Sequence, residues 1–367
     1  MPTITKNKIL KIDGSTGEGG GQIIRTALSL SMLTGTPIEI TNIRAGRAKP
    51  GLMRQHLVCV QASQQISDAA VTGAHLGSTT FRFVPAAIKS GDYTFDIGSA
   101  GSTSLVLQTL LPALLFANVD EHSKSTVTIK GGTHNPLAPT TDFLIQAFVP
   151  VLARLGMQVD IELQQVGFAP IGGGSIKATI TPFLRRANTL SLKLKERGEL
   201  INITLVASVL NLDYDICKRE LASAQASLIE SGVYSTLITT QSHKLHGIGE
   251  GNTCYAQVTH RVGESSTKQY HQEIFTLLGE KRSSAENIGN RLAGLVKRYL
   301  FNTDALVDEY LTDQLLLPLA LSGGGAFSSR MISGHTETQA WLIEQFLPVE
   351  IQFDVVNDDK TLVKVIA

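Results

Sequence analysis

The residues with the most chemical potential lie at Gly17-Glu18-Gly19-Gly20-Gly21-Gln22, directly before the apolar-periodic stretch Ile23 to Leu33. Glycines let backbone N–H groups approach an anion closely, and a helix starting there points its positive end at the same place. Glu18 conflicts with such a site, because a carboxylate facing phosphates is repulsive unless a cation lies between them. Mg²⁺ is the usual oxygen-seeking ion beside phosphates. A plainer reading stays open, in which the glycines build a tight strand-to-helix turn and Glu18 sits in the first helical turn, where carboxylates are favoured. A second chemical segment lies downstream: no acidic residue occurs between Glu39 and Asp68, whereas Arg44, Arg47, Lys49, Arg54 and His56 do. Such a one-sign run binds a polyanion through phosphate contacts or forms a solvated basic loop around Pro50-Gly51.

The chain that must position these groups has 367 residues, 43% of them hydrophobic, and a formal net charge of zero. Those values describe a soluble globular protein of about two domains. Zero net charge removes any general case for nucleic-acid binding and leaves only the local one. The longest apolar run, Leu105 to Ala117, contains Gln108 and Pro112 and is shorter than the roughly 20 residues that span a bilayer. Met1 to Gly14 lacks the apolar block of a signal peptide. Cys59, Cys217 and Cys254 are odd in number and far apart, which suggests neither a disulfide framework nor a zinc ribbon. A reducing cytoplasm is expected.

Repetition sets the expected architecture. Helical patterns run into β-rich stretches at Gln22 to Gly35 then Pro37 to Ile43, at Asp142 to Gly156 then Met157 to Leu163, and at Thr338 to Leu347 then Pro348 to Val355. Glycine-rich turns precede helices at Gly17 to Gly21, Gly98 to Gly101 and Gly131-Gly132. This is an α/β pattern of repeated units, none able to bury its apolar face alone. From about Ala187 to Glu280 the rhythm breaks into strand-like runs around a helix-like run, Lys218 to Ser231, as expected of an inserted α/β domain. The repeats are expected to resume at Ser283, where Ser283 and Glu286 have capping-box spacing and Ile288, Leu292, Leu295, Val296 and Tyr299 form an apolar stripe.

Taken in order, several segments resemble the RNA 3′-terminal phosphate cyclase family over almost the whole chain. They are Asp13-Gly14 with Gly17 to Gln22, Arg44 to Gly51 running to Arg54-Gln55-His56, Gly98 to Ser102 leading to Gln108, and Gly131-Gly132-Thr133 with Asn135 to Pro139. Further matches are Gly279 to Arg282, Tyr310-Leu311-Thr312-Asp313-Gln314, and His335. The resemblance implies an α/β (α+β) fold in which repeated βαβαββ-type units form a large domain over 1–186 and 281–367, with a smaller α/β domain inserted at 187–280.

It also implies a reaction, ATP-dependent conversion of an RNA 3′-phosphate into a 2′,3′-cyclic phosphate. A phosphate monoester has no good leaving group, so the neighbouring 2′-OH closes on it only after adenylylation supplies AMP as one. His335 is the implied nucleophile, since a neutral imidazole attacks phosphorus near neutral pH and a phosphoramidate hands its nucleotide onward. The resemblance assigns the ATP site to Gln108, Pro139, Tyr310, Leu311, Thr312, Asp313 and Gln314. Within it Tyr310 and Pro139 would sandwich adenine, Asp313 would accept from ribose hydroxyls, and Gln108 would contact nucleotide phosphate. Glu18 becomes the ligand for Mg²⁺ or Mn²⁺. Arg25, Arg44, Arg47, Gln55 and His56 would receive the RNA terminal phosphate, guanidinium forks matching phosphate oxygens. Gln339 departs from some relatives, which carry Asn there. RNA 3′-phosphate ends are the implied partner; no membrane and no protein partner is implied. Two other classes share related folds: a non-catalytic ribosome-assembly relative that lacks the histidine, and enolpyruvyl transferases, which need neither an adenine sandwich nor His335.

Overall fold

The computed structural model describes residues 9–117, 123–184, 192–263 and 269–367. Three of its sheets follow one plan. In the first, β1 (Leu10–Asp13) runs parallel to β2 (Ile38–Thr41), β2 antiparallel to β4 (Phe81–Val84), and β4 antiparallel to β3 (Ala70–Thr72). Helices α1 (Gly21–Thr34) and α2 (Arg54–Ser67) make the connections. The second sheet repeats that order with β5 (Asp92–Asp96), α3 (Thr103–Leu115), β6 (Ser125–Gly131), a broken helix α4 (141–154), β7 (Gln158–Gln165) and β8 (Gly174–Thr181). The third opens with β9 (Leu192–Leu194) and is then interrupted.

The interruption is a βαβββα-like run: β10 (Leu200–Leu210), α5 (Asp215–Glu230), β11 (Ile238–Leu245), β12 (Gly251–Val262), β13 (Gln269–Leu278) and α6 (Ala285–Phe301). Its strands form a separate sheet in the order β11-β10-β12-β13. The third plan then completes with α7 (Glu309–Ser322), β14 (Gly325–Ser329), α8 (Gly334–Phe346), β15 (Glu350–Asn357) and β16 (Lys360–Ile366), β14 lying parallel to β9 and antiparallel to β16. The α/β architecture expected from the helix-then-strand rhythm is therefore present.

Two expectations from the sequence change here. Leu192–Leu194 pair with the third sheet instead of joining the inserted run. The stripe Ile288, Leu292, Val296 and Tyr299 does bury a helix face, but against Cys217, Leu221, Ala224 and the β10 and β12 side chains of the inserted sheet. The N-cap of α6 is Ser284, whose Oγ accepts the Asn287 N–H at 3.2 Å, while Glu286 pairs with Arg219 Nε of α5 at 2.7 Å instead of closing a capping box.

Helix α1 is the centre of the molecule and explains where the site must be. Ile23, Ile24, Ala27, Leu28 and Leu30 are all buried, too many for one stripe, because α1 packs on its own sheet and also against α2, α3 and α8. Polar groups inside such a helix have no water and need protein partners. Ser29 Oγ, for example, donates to the Thr109 carbonyl of α3 at 2.6 Å. The helix stops at Gly35, which takes the left-handed conformation at φ 68°. At its other end Gly20 offers no side-chain cap, so the first-turn N–H groups of α1 are left open, whereas α3 and α8 are capped by Ser102 and Ser333.

Candidate active site

Around the open end of α1 a chain of carboxamides joins all three repeats. Arg25 Nε donates to Gln108 Oε1 at 3.0 Å, Gln108 Nε2 to Gln314 Oε1 at 3.0 Å, and Gln314 Nε2 to Asp313 Oδ2 at 3.2 Å. From the opposite side Gln22 Nε2 donates to Asp313 Oδ1 and to Gln339 Oε1, both at 2.7 Å. Gln339 Nε2 in turn donates to the Asp313 main-chain oxygen at 3.0 Å. His335 Nδ1 meets Gln22 Oε1 at 3.0 Å, and its Nε2 faces Glu18 Oε2 at 3.0 Å. Burial raises the Asp313 carboxyl above its usual value, opposed by the nearby His335 and Arg25 and by its Gln22 and Gln314 donors.

Local backbone geometry allows these approaches. Glu18 precedes the first residue of α1, so it does not occupy a first-turn position. Gly17 adopts φ +57°, and any Cβ on it would collide with Thr338 Oγ1, itself donating to the Gly334 carbonyl at 2.7 Å. The glycine loop and the start of the His335 helix are thus in direct contact. A Cβ at Gly334 would stand 2.9 Å from Glu18 Oε1, so a residue without a side chain keeps the Glu18 and His335 side chains face to face.

Most of the basic residues converge on the same end of α1. Arg47 Nη2 donates to the Glu18 carbonyl at 3.3 Å and lies 3.4 Å from where a Gly20 Cβ would be. The His56 ring abuts Gly21, and Arg25 Nη1 lies 3.0 Å from that glycine's would-be Cβ. His56 Nδ1 accepts the Met53 N–H at 3.2 Å, which fixes the ring so that Nε2 carries the proton. Burial, with Arg25 and Arg44 adding repulsion, pushes His56 down to about 3, so it is a neutral donor and not a cation. Burial also lowers Arg25 from the usual arginine value.

Four assigned residues also make contacts within the protein. Arg44 turns Nη1 onto the carbonyls of Lys49 and Gly51, at 2.7 and 3.1 Å, and braces the basic loop. Gln55 Oε1 accepts the Ser102 N–H at 2.8 Å, joining α2 to the start of α3. Leu311 and Thr312 are fully buried, and Thr312 Oγ1 bonds the Asp308 carbonyl at 3.0 Å and Ser329 Oγ at 2.6 Å. Tyr310 is 65% exposed at the start of α7, a free aromatic face, and the Pro139 carbonyl accepts from Ser104 Oγ at 2.6 Å. Arg330 fixes that end of α7 by bonding Asp308 Oδ1 at 2.6 Å and Glu309 Oε2 at 2.8 Å.

Sequence reasoning missed the roles of Gln22, Gln339 and Thr338. A usable signal existed: glutamines embedded in strongly apolar helices, as Gln108 is between Leu107 and Leu110 and Gln314 is before Leu315, must find buried partners.

The family of this arrangement follows from comparison with known sequences. A model of the RNA 3′-terminal phosphate cyclase family matches residues 16–353. The chain belongs to that family. It is 45% identical over 349 residues to the RNA 3′-terminal phosphate cyclase of Ralstonia nicotianae, covering 95% of this chain and 94% of the relative. It is 43% identical over 342 residues to the cyclase of Salmonella typhimurium, covering 93% and 94%. The family is one of enzymes of the ligase class, and family membership implies use of ATP and of RNA as substrate.

The residues present also suit a divalent ion. Glu18 offers a carboxylate that is 40% exposed at the mouth of the site. Among the described residues no cluster of three or more His, Cys, Asp or Glu could hold a metal by itself. One carboxylate supplemented by substrate phosphates and water is the way Mg²⁺ is commonly held.

Proposed function

We propose that this chain converts an RNA 3′-terminal phosphate into a 2′,3′-cyclic phosphate at the expense of ATP, carrying AMP on His335 in between. The observation that supports it most is the pairing of an accessible imidazole nitrogen with the open end of α1. The His335 ring is 49% exposed with Nε2 3.0 Å from Glu18 Oε2 at the mouth of the site, while its other nitrogen is tied to Gln22.

Three displacements at phosphorus balance the reaction. The Nε2 lone pair attacks the ATP α-phosphorus, forming a P–N bond as the bond to pyrophosphate breaks. An oxygen of the RNA 3′-phosphate then attacks the same phosphorus; the P–N bond breaks, its electrons return to His335, and an RNA-adenylate forms. Finally the RNA 2′-oxygen attacks the 3′-phosphorus, its proton passes to solvent, and AMP leaves. Arg25, Arg47 and the neutral Nε2–H of His56 offer donors for the RNA phosphate beside the free N–H groups of α1. Tyr310 offers an adenine face, with Pro139 as the opposing wall. Glu18 would hold Mg²⁺ or Mn²⁺, which when bound neutralises charge on phosphate oxygens. Three buried, unpaired cysteines fit a reducing cytoplasm, and no described helix is long and apolar enough to cross a membrane.

The test is incubation with α-labelled ATP and a divalent ion, followed by denaturing separation. Acid-labile label on the wild-type chain and none on His335→Ala is expected; label retained by His335→Ala would remove the histidine from the mechanism.

A further inference from the structure

The hydrogen-bond chain behind His335 has a fixed direction. Asp313, as a carboxylate, can only accept, and Arg25 at the far end can only donate, so Gln108 and Gln314 are each held in one orientation between them. On the histidine side, Gln339 is oriented by its donation to the Asp313 carbonyl, which leaves Gln339 Oε1 as an acceptor. Gln22, 6% exposed, must therefore direct its NH₂ at two acceptors, Asp313 Oδ1 and Gln339 Oε1, each 2.7 Å away. Turning the carboxamide over would set its oxygen against both. Its Oε1 is then committed to accept, and the group 3.0 Å from it is His335 Nδ1.

We infer that Gln22 is a positioning residue that holds His335 in the Nδ1–H tautomer and so reserves the Nε2 lone pair for attack on phosphorus. This rests on the cyclase reading above. The histidine side chain in water prefers the opposite tautomer, with the proton on Nε2, which would block the nucleophile. Gln22 opposes that preference, and the pull of the Glu18 carboxylate whose Oε2 lies 3.0 Å from Nε2, with an acceptor held by two separate bonds, and Asp313 anchors the chain. The arrangement parallels a triad, in which a carboxylate fixes the tautomer of a catalytic imidazole, except that a carboxamide stands between them.

Two measurements test this. Nitrogen NMR of isotope-labelled histidine, recorded at alkaline pH with Mg²⁺ present to occupy Glu18 and assigned by the signal lost in His335→Asn, should show wild-type His335 with its proton on Nδ1. A wild-type ring protonated on Nε2 overturns the inference without any variant having to fold. In Gln22→Met, which keeps volume and removes the acceptor, the signal should move toward the Nε2–H form. Single-turnover transfer of AMP at saturating ATP should then slow by about 10- to 100-fold, as for loss of other orienting partners, with the ATP dissociation constant changed by less than about threefold. An unchanged transfer rate, or a loss confined to ATP affinity, overturns it. Failure of the functional reading is separately visible, because wild-type enzyme would then carry no acid-labile AMP whatever its tautomer.

Discussion

Replacing Glu18 with Gln separates charge from shape at the mouth of the site. The amide has the same size, so it fits the same space beside Gly334, where an added Cβ would stand 2.9 Å from Oε1. The carboxylate's visible partner is His335 Nε2 at 3.0 Å, with side chains 40% and 49% exposed. An ion pair this exposed contributes about 0.2–1 kcal/mol, so Tm should move little. The effect on a bound divalent ion should be larger, since its one protein carboxylate becomes a neutral carbonyl. A loss of about 1.4 kcal/mol or more corresponds to a tenfold or greater rise in the metal concentration at half-maximal rate. The assay is the initial rate of His335 labelling from α-labelled ATP, with the metal–ATP complex held constant while free Mg²⁺ or Mn²⁺ is varied, and with thermal unfolding recorded in parallel. A Glu18→Gln enzyme with the wild-type metal midpoint would refute the ligand role, and a large fall in Tm with no metal effect would show that the carboxylate serves the fold alone.

Further outcomes follow from the same geometry. Arg47→Ala should slow reaction with RNA 3′-phosphate at least tenfold more than self-adenylylation, since phosphate contacts position the RNA; parallel losses in both steps would assign Arg47 to the ATP site. Arg44→Ala should in addition lower Tm, because its guanidinium braces the Lys49 and Gly51 carbonyls, and an unchanged Tm would contradict that bracing. Gly17→Ala forces a left-handed alanine into Thr338 and should destabilise by about 1–2 kcal/mol, read by urea unfolding, while also slowing His335 labelling; wild-type values for both would show the loop to be free to move. His56 makes stability fall in acid: its folded value is about 3 against 6.5 unfolded, so the unfolded chain takes up the proton first as pH drops through 6.5. Near about pH 5 this amounts to about 2 kcal/mol, and the urea midpoint of His56→Asn should be correspondingly less sensitive to pH between neutrality and about pH 5.

How far the sequence could be read depended on whether a pattern names its own partner. Gly17 to Gln22 followed by Ile23 to Leu33 announces a loop and helix, and α1 starts at Gly21 as that pattern requires. The stripe from Ile288 to Tyr299 shows that a helix buries one face, yet periodicity carries no information about which core receives it; α5 and the inserted sheet do. Leu190 to Leu194 does alternate in the sequence, but alternation does not say which sheet receives a strand; β14 supplies the register of β9. The motif Tyr310 to Gln314 reads as one continuous site, but a helix distributes five successive residues around its axis, so Tyr310 is exposed while Leu311 and Thr312 face the core. Gln22 and Gln339 are far apart in sequence, and nothing short of their mutual contact reveals them as partners.

The threefold plan of the sheets has a consequence for folding. On the proposed reading the first repeat supplies Glu18, Gln22, Arg25, Arg47 and His56, the second Gln108 and Pro139, and the third Tyr310, Asp313, Gln314, His335 and Gln339. The residues differ from one repeat to the next, so the three repeats are not interchangeable at the site. On the proposed reading the site is complete only once the third repeat has docked on the other two, so that labelling of His335 would report the completion of folding.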